Sequence, residues 1–200
     1  MNNILVFFFF CTTMLMAIDE PSYSILKKEG QFELRRYEPY IVVETTIADS
    51  IMDDASSAGF RKLFKYISGN NRTAAEISMT APVLTEPSRS IPMTAPVTAV
   101  RTSNGFTIAF VMPKEFTLET TPVPNDSTLS VRQITSRTVA VNRFSGRWTD
   151  EAMTERSDEL SRWVSANSFV PEGKPVIARF DPPFMPWFLR RNEIQIEIAP

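Results

Sequence analysis

Ile41-Val42-Val43-Glu44-Thr45-Thr46-Ile47 is a β-branched run that reads as a strand, and the pattern after Ser50 changes to that of a helix. From about Asp53 to Ser68 the spacing predicts a helix with Ser56, Phe60, Leu63, Phe64 and Ile67 on one stripe. Asp53 and Asp54 suit its first turn, and Gly69-Asn70 is its stop signal. Arg61 and Lys65, four apart, lie on the rim of that stripe. Gly59 costs the helix roughly 1 kcal/mol against alanine unless close packing or a ligand needs the space.

The pattern returns in the second half of the chain. Val139-Ala140-Val141 lies 98 positions after Ile41-Val42-Val43 (139 − 41), and a second helix is predicted from about Thr149 to Ala166. That helix carries Met153, Leu160, Trp163 and Val164 inward, with Asp150 and Glu151 in its first turn. Further strands are predicted at 23–28, 32–37, 106–111, 129–134, 137–144, 175–180 and 193–198. Each half reads strand, strand, helix, strand, strand. The expected fold class is therefore α+β: two duplicated halves, each with one helix, packed on a shared antiparallel sheet or barrel.

Between the first helix and the next strand stands a doubled motif. Ile77-Ser78-Met79-Thr80-Ala81-Pro82-Val83 is followed fourteen residues on by Ile91-Pro92-Met93-Thr94-Ala95-Pro96-Val97, with six of seven positions alike. At a period of two, one face of each copy is wholly apolar. A hairpin turning about Pro87 would set Val83 against Ile91 and Met79 against Ala95, and the prolines place it at a sheet edge. The second copy is the return strand, and Met79 of the first is a candidate for a groove floor. Ordinary core is the alternative use of such a face.

Composition narrows the chemistry. Two hundred residues with 43% hydrophobic and 22% charged side chains suit one globular domain, and a net charge of −2 supplies no general attraction to nucleic acid. There is no histidine, which removes the usual general base, zinc ligand and proximal haem ligand. Cys11 is the only cysteine and it falls in an apolar leader, Ile4 to Met16, that reads as a signal peptide. Cleavage is expected after Ala17, leaving a single domain over residues 18–200 with no stable membrane span, no thiol and a secretory or extracellular location. A retained membrane anchor is the other reading of the leader. The sequons at Asn71 and Asn125 fall in predicted loops, as N-glycosylation requires.

Four motifs carry a resemblance: Phe32-Glu33-Leu34-Arg35-Arg36-Tyr37; the helix end Phe60-Arg61-Lys62-Leu63-Phe64-Lys65-Tyr66-Ile67-Ser68-Gly69-Asn70-Asn71; the Ile77 to Val83 stretch; and Asp181-Pro182-Pro183-Phe184 with Arg190-Arg191-Asn192-Glu193. In that order they resemble the SOUL family of haem-binding proteins over roughly residues 22–198, and the plant-like members with a signal peptide most of all. The resemblance implies a distorted β-barrel of duplicated halves with two helices. It also implies that haem or a related tetrapyrrole sits in a shallow apolar groove beside the first helix and the late proline-rich loop.

A porphyrin is a flat apolar plate with two carboxylates, so it asks for aromatic and thioether side chains on its faces and cations at its edge. Phe60, Phe64 and Met79 are candidates for one wall, Phe184, Met185 and Trp187 for the opposing loop, and Arg61, Lys65 and Arg190 for the propionates. Core packing for the aromatics and a solvated surface for the cations are the structural alternatives. Arg191-Asn192-Glu193 reads rather as a turn closing the last strand. Without histidine, the conventional iron donors left are Met79, Met93, Met185, Tyr37 and Tyr66, and binding without ligation is expected to show little preference for iron over a metal-free porphyrin. The expected function is a non-catalytic carrier or scavenger. A protein-interaction module that kept the fold without the ligand is the alternative, with 184–189 as its partner patch. No grouping of residue types supports an enzyme; Asp53 and Asp54 sit at a helix start, where acids are common for dipole reasons alone.

Overall fold

The computed structural model describes residues 19–73, 88–182 and 184–200. In chain order the elements are β1 (Tyr23–Glu29), β2 (Phe32–Tyr37), β3 (Tyr40–Ile47), α1 (Met52–Ile67), β4 (Asn71–Arg72), β5 (Val97–Thr102), β6 (Gly105–Val111), β7 (Val123–Pro124), β8 (Leu129–Ile134), β9 (Arg137–Phe144), α2 (Asp150–Ala166), β10 (Pro171–Arg179), a single 3-10 turn at Trp187–Leu189, and β11 (Asn192–Ile198). Nine strands form one antiparallel sheet in the order β1-β2-β9-β11-β10-β5-β6-β3-β8, and β4 pairs with β7 apart from it.

The order is a palindrome about the β10-β5 pair once β1 is set aside. Exchanging β2 with β8, β3 with β9, β5 with β10 and β6 with β11 reverses the list and leaves it unchanged. β2 and β8 start 97 residues apart (129 − 32), as do β3 and β9 (137 − 40). Each repeat is strand, strand, helix, strand, strand, and the first strand of each pairs with the other repeat: β2 with β9, β8 with β3. The two halves are thus interlocked by strand exchange and share one core.

Period-two alternation sorts the two faces of the sheet. Ile41 and Val43 of β3, Ile108 and Phe110 of β6, and Ile194 and Ile196 of β11 face the helices and are buried with Leu63 and Leu160. Tyr40, Val42, Ala109, Val111 and Ile134 form one group on the opposite face, and Tyr37, Val139 and Val141 another. Thr149 caps α2, its hydroxyl accepting from the Ala152 N–H at 3.2 Å, and Met153, Leu160, Trp163 and Val164 are the buried residues of that helix, the four its spacing predicts. α1 is followed, after its C-cap Ser68, by Gly69, whose φ of +109° a residue with a Cβ rarely adopts. Among the described residues no helix is long and apolar enough to cross a membrane.

Four expectations need correction. The sheet curls strongly: Tyr40 of β3 accepts a hydrogen bond at 2.7 Å from Arg137 of β9, five strands away in the sheet order. No ladder joins β1 to β8 among the described residues, so the sheet is open where a barrel is expected. The α1 stripe is rotated: Ala55, Gly59, Leu63, Tyr66 and Ile67 are buried while Phe64 is half exposed, because the tyrosine ring packs inward and its hydroxyl finds a carbonyl there. Residues 77–83 lie outside the described residues, and the second copy of the motif is not a return strand. Ile91 to Pro96 is irregular, tied by Ile91 N–H to Ile67 O (2.7 Å), Ala95 N–H to Asp19 O (3.0 Å) and the Thr94 hydroxyl to Val111 O, and β5 starts only at Val97. Asn71 lies in β4 rather than a loop. It is buried, and its amide donates to Tyr66 O (2.7 Å) and Arg89 O (2.8 Å), whereas Asn125 is exposed.

Candidate functional site

On α1, Phe60 is partly buried against the core, edge-on to Phe110 with ring centres 5.3 Å apart, and it stacks on Phe64 at 5.9 Å between centres with an interplanar angle of 11°. The pair presents a flat aromatic face whose outer member is 48% exposed, and Arg61 and Lys65 stand exposed on the same two turns. Met79 lies outside the described residues.

The late loop is held from below and apolar above. Phe184 is 85% exposed, and Trp187, Phe188 and Leu189 are each about half exposed or more. Trp187 packs edge-on against Phe188 at 5.6 Å, while the Arg147 guanidinium lies 5.7 Å from the Trp187 ring centre. The Gly146 N–H donates to Trp187 O at 3.1 Å, which fixes the loop to the β9-α2 connection. Met185 is partly buried, and its carbonyl takes the Arg190 Nε–H at 2.8 Å. Trp148 is the anchor beneath: Arg190 and Arg179 lie 5.0 Å and 3.8 Å from its ring centre, and its indole N–H donates to Asn192 Oδ1.

The nominated residues therefore form two sets, Phe60, Arg61, Phe64 and Lys65 on α1 and Phe184, Met185, Trp187 and Arg190 on the loop. A link between helix and loop runs through the start of the helix, where Arg179 beside Trp148 reaches Asp53 at 3.3 Å. Phe188 and Leu189 of the 184–189 patch complete the loop surface, and Trp148 beneath it is the residue that sequence reasoning missed. The signal was available in Arg147-Trp148, an aromatic placed at the entry to a helix, and in the unbroken apolar run Trp187-Phe188-Leu189.

Two of the iron-donor candidates are committed elsewhere. Tyr66 is fully buried, its hydroxyl donates to Pro122 O at 2.7 Å, and burial pushes the phenol well above its ordinary pKa. Tyr37 is likewise raised by burial and accepts from Arg35 at 3.0 Å. Met93 is 44% exposed and Met185 partly so.

The helix-free face of the sheet carries a buried ion network. Arg35, fully buried, grips Glu193 with two bonds of 2.9 and 3.0 Å and Glu33 with a third of 2.7 Å; Arg191 bridges Glu193 to Glu20. Beside it lies a hollow of about 310 Å³ whose walls include Tyr23, Tyr37, Tyr40, Val42, Ala109 and Val111. The alternation Glu33, Arg35, Tyr37 in β2 and Glu193, Gln195, Glu197 in β11 is the sequence signal for this polar face. Arg191-Asn192-Glu193 thus serves the network and the start of β11, as expected of a structural turn.

Heme-binding protein 2 of Mus musculus is 27% identical to this chain over 90% of both, and heme-binding protein 1 of Xenopus laevis is 26% identical over 84% of both. Among solved structures, the C-terminal domain of EcmrR superposes with a TM-score of 0.53 at 15% identity, covering 84% of this chain and 97% of that one. A hydrolase from Listeria innocua gives 0.52 at 8% identity, over 87% and 94%. At such identities these two share the fold alone. The family model described as SOUL heme-binding protein matches residues 18–197, and the chain belongs to that family.

Proposed function

We propose that this protein binds haem or a related tetrapyrrole without catalysing a reaction on it, as a carrier or scavenger in the secretory pathway or outside the cell. The observation that carries the reading is the exposed apolar surface at 184–189, where four large side chains stand 48–85% exposed above a braced base with arginines beside them. Water-exposed apolar clusters of this kind are unfavourable unless something covers them. A tetrapyrrole plate suits the aromatic faces of Trp187, Phe184 and Phe64, and its carboxylates suit Arg61, Lys65, Arg147 and Arg190. Haem brings its own colour and redox chemistry, and the chain need only hold the plate and exclude water from one face. Iron ligation is not part of the reading, since the sequence lacks histidine and Tyr37 and Tyr66 are held in buried hydrogen bonds. The family membership and the names of the relatives support the ligand class.

The same surface suits a protein partner, which is the second reading. Haemin titration of the protein separates the two, read by the Soret band and by quenching of Trp187. Phe184→Ala is expected to weaken binding roughly tenfold, about 1.4 kcal/mol, with an unchanged melting temperature, and Arg61→Ala to weaken it less. No Soret shift and no quenching would leave the partner surface as the better account.

A further inference from the structure

The hollow on the helix-free face of the sheet is built differently from the surface just described. Its floor is apolar, from Val42 of β3, Ala109 and Val111 of β6 and Ile134 of β8. Tyr23 and Tyr37 line one side with ring centres 5.1 Å apart, and Tyr40 lies 6.3 Å beyond Tyr37. The charged groups around it are paired, Arg132 with Glu44 at 2.9 Å, Arg137 with Glu197 at 3.0 Å, and Arg35 behind Tyr37 with Glu33 and Glu193, although the buried Arg137 Nε has no partner among the described residues.

Two tyrosine hydroxyls keep a proton to donate. The Tyr37 oxygen accepts from Arg35 Nη1 at 3.0 Å and from Gln195 Nε2 at 3.5 Å, and the Tyr40 oxygen accepts from Arg137 Nη2 at 2.7 Å. Guanidinium and amide nitrogens only donate, so each phenol is used as an acceptor and keeps its own O–H to give. Among the described residues neither hydroxyl has an acceptor. A hydroxyl donor in an apolar hollow is best matched by an acceptor oxygen that carries little desolvation cost, a carbonyl rather than a carboxylate. Glu20 and Glu44, which also line the hollow, are each paired with an arginine, so the lining offers no net charge for a charged ligand to answer.

We propose that this hollow is a second binding site, for a small, uncharged, planar aromatic molecule whose carbonyl oxygen is held by the hydroxyls of Tyr37 and Tyr40. A volume of about 310 Å³ stands at the small end of ligand pockets, which start near roughly 300 Å³. It accommodates one or two fused rings and is too small for a tetrapyrrole.

The test is titration of the full chain, by calorimetry or ligand-observed NMR, with three probes of similar size. Coumarin has a carbonyl and no charge, naphthalene has no acceptor, and 2-naphthoate is an anion. Coumarin is expected to bind at least fivefold more tightly than either of the others. Tyr40→Phe and Tyr37→Phe keep the rings and remove the donors, and each is expected to weaken coumarin roughly two- to tenfold, the range of one hydrogen bond, without changing the naphthalene affinity. Ala109→Phe fills the hollow and should abolish coumarin binding while haemin titration stays as in the parent. Should that variant fail to fold, Thr107→Phe on the same face blocks the hollow from a less buried position. Naphthalene or 2-naphthoate binding as tightly as coumarin, tyrosine variants that change nothing, or coumarin binding that survives the filled hollow would each overturn the proposal.

Discussion

Gly59→Ala is a substitution whose sign helix propensity and packing predict oppositely. In an exposed helix the change gains about 1 kcal/mol. Here a Cβ on residue 59 would lie 2.6 Å from Ile108 Cγ1 and 2.8 Å from Ile108 Cβ, against an ordinary carbon contact of about 3.5–4.0 Å. Ile108 cannot yield easily. It is fully buried, its Cβ is fixed to a backbone paired with Thr45 of β3 on one side and Ala99 of β5 on the other, and a β-branched side chain has few alternative rotamers. The helix must therefore lift by roughly 1 Å, loosening Leu63 and Ala55, which are buried in the same core. Overpacking of this kind costs about 1–3 kcal/mol, and a clash with a fixed atom belongs in the upper part of that range. The net expectation is a loss of about 1–2 kcal/mol, or about 2–8 °C in melting temperature for a chain of this size. Urea and thermal unfolding measure it, with Ser57→Ala on the exposed side of α1 as a control that should be neutral or slightly stabilising. A Gly59→Ala protein as stable as the parent, or more stable, would refute the close approach of α1 to β6.

Arg35→Met should be among the most damaging single changes, at about 3–5 kcal/mol, because it leaves Glu193 and Glu33 buried with one partner fewer each; denaturant unfolding checks it. Burial raises the Glu33 carboxyl, but hydrogen bonds from Lys28 and Arg35 outweigh this and hold its pKa below the ordinary value. A lowered native pKa adds stability that is present above the unfolded pKa, near 4.3, and disappears as pH falls through the native one. The stability gap between the parent and Glu33→Gln should therefore narrow from pH 7 to about pH 3, and an unchanged gap would contradict that pairing. Tyr66→Phe removes the donor to Pro122 O inside the core and should cost about 1–2 kcal/mol by the same unfolding assay. Thr149→Ala removes the cap of α2 and should cost about 1 kcal/mol, visible as a lowered melting temperature.

The strands of the second half were legible because their alternation is strict and short turns bound them: 129–134 and 137–144 are strands in sequence and structure alike. The α2 face was legible for the same reason, its four apolar residues falling on one stripe. α1 misled because Phe and Tyr are both apolar by pattern, and only the position of the Pro122 carbonyl decides that Tyr66 turns inward and Phe64 outward. The repeat was readable as an order of elements, whereas the exchange of β2 and β8 between halves depends on pairings 84 to 110 residues apart (129 − 45 to 142 − 32) that no local pattern specifies. Of the candidate site, the aromatic run at 184–189 and its flanking arginines were visible in sequence. The hollow was not, because its tyrosines come from β1, β2 and β3 and its apolar floor from β3, β6 and β8, elements that meet only through the curl of the sheet.

The central claim is that the chain holds a tetrapyrrole by its faces and edge rather than by its iron. Parallel titrations with haemin and with metal-free protoporphyrin, followed by the Soret band and tryptophan fluorescence, test it most directly. The account predicts saturable one-to-one binding of both, with affinities within roughly tenfold, about 1.4 kcal/mol. Binding of haemin alone would place a ligand on the iron, and saturable binding of neither would remove tetrapyrrole binding from the account.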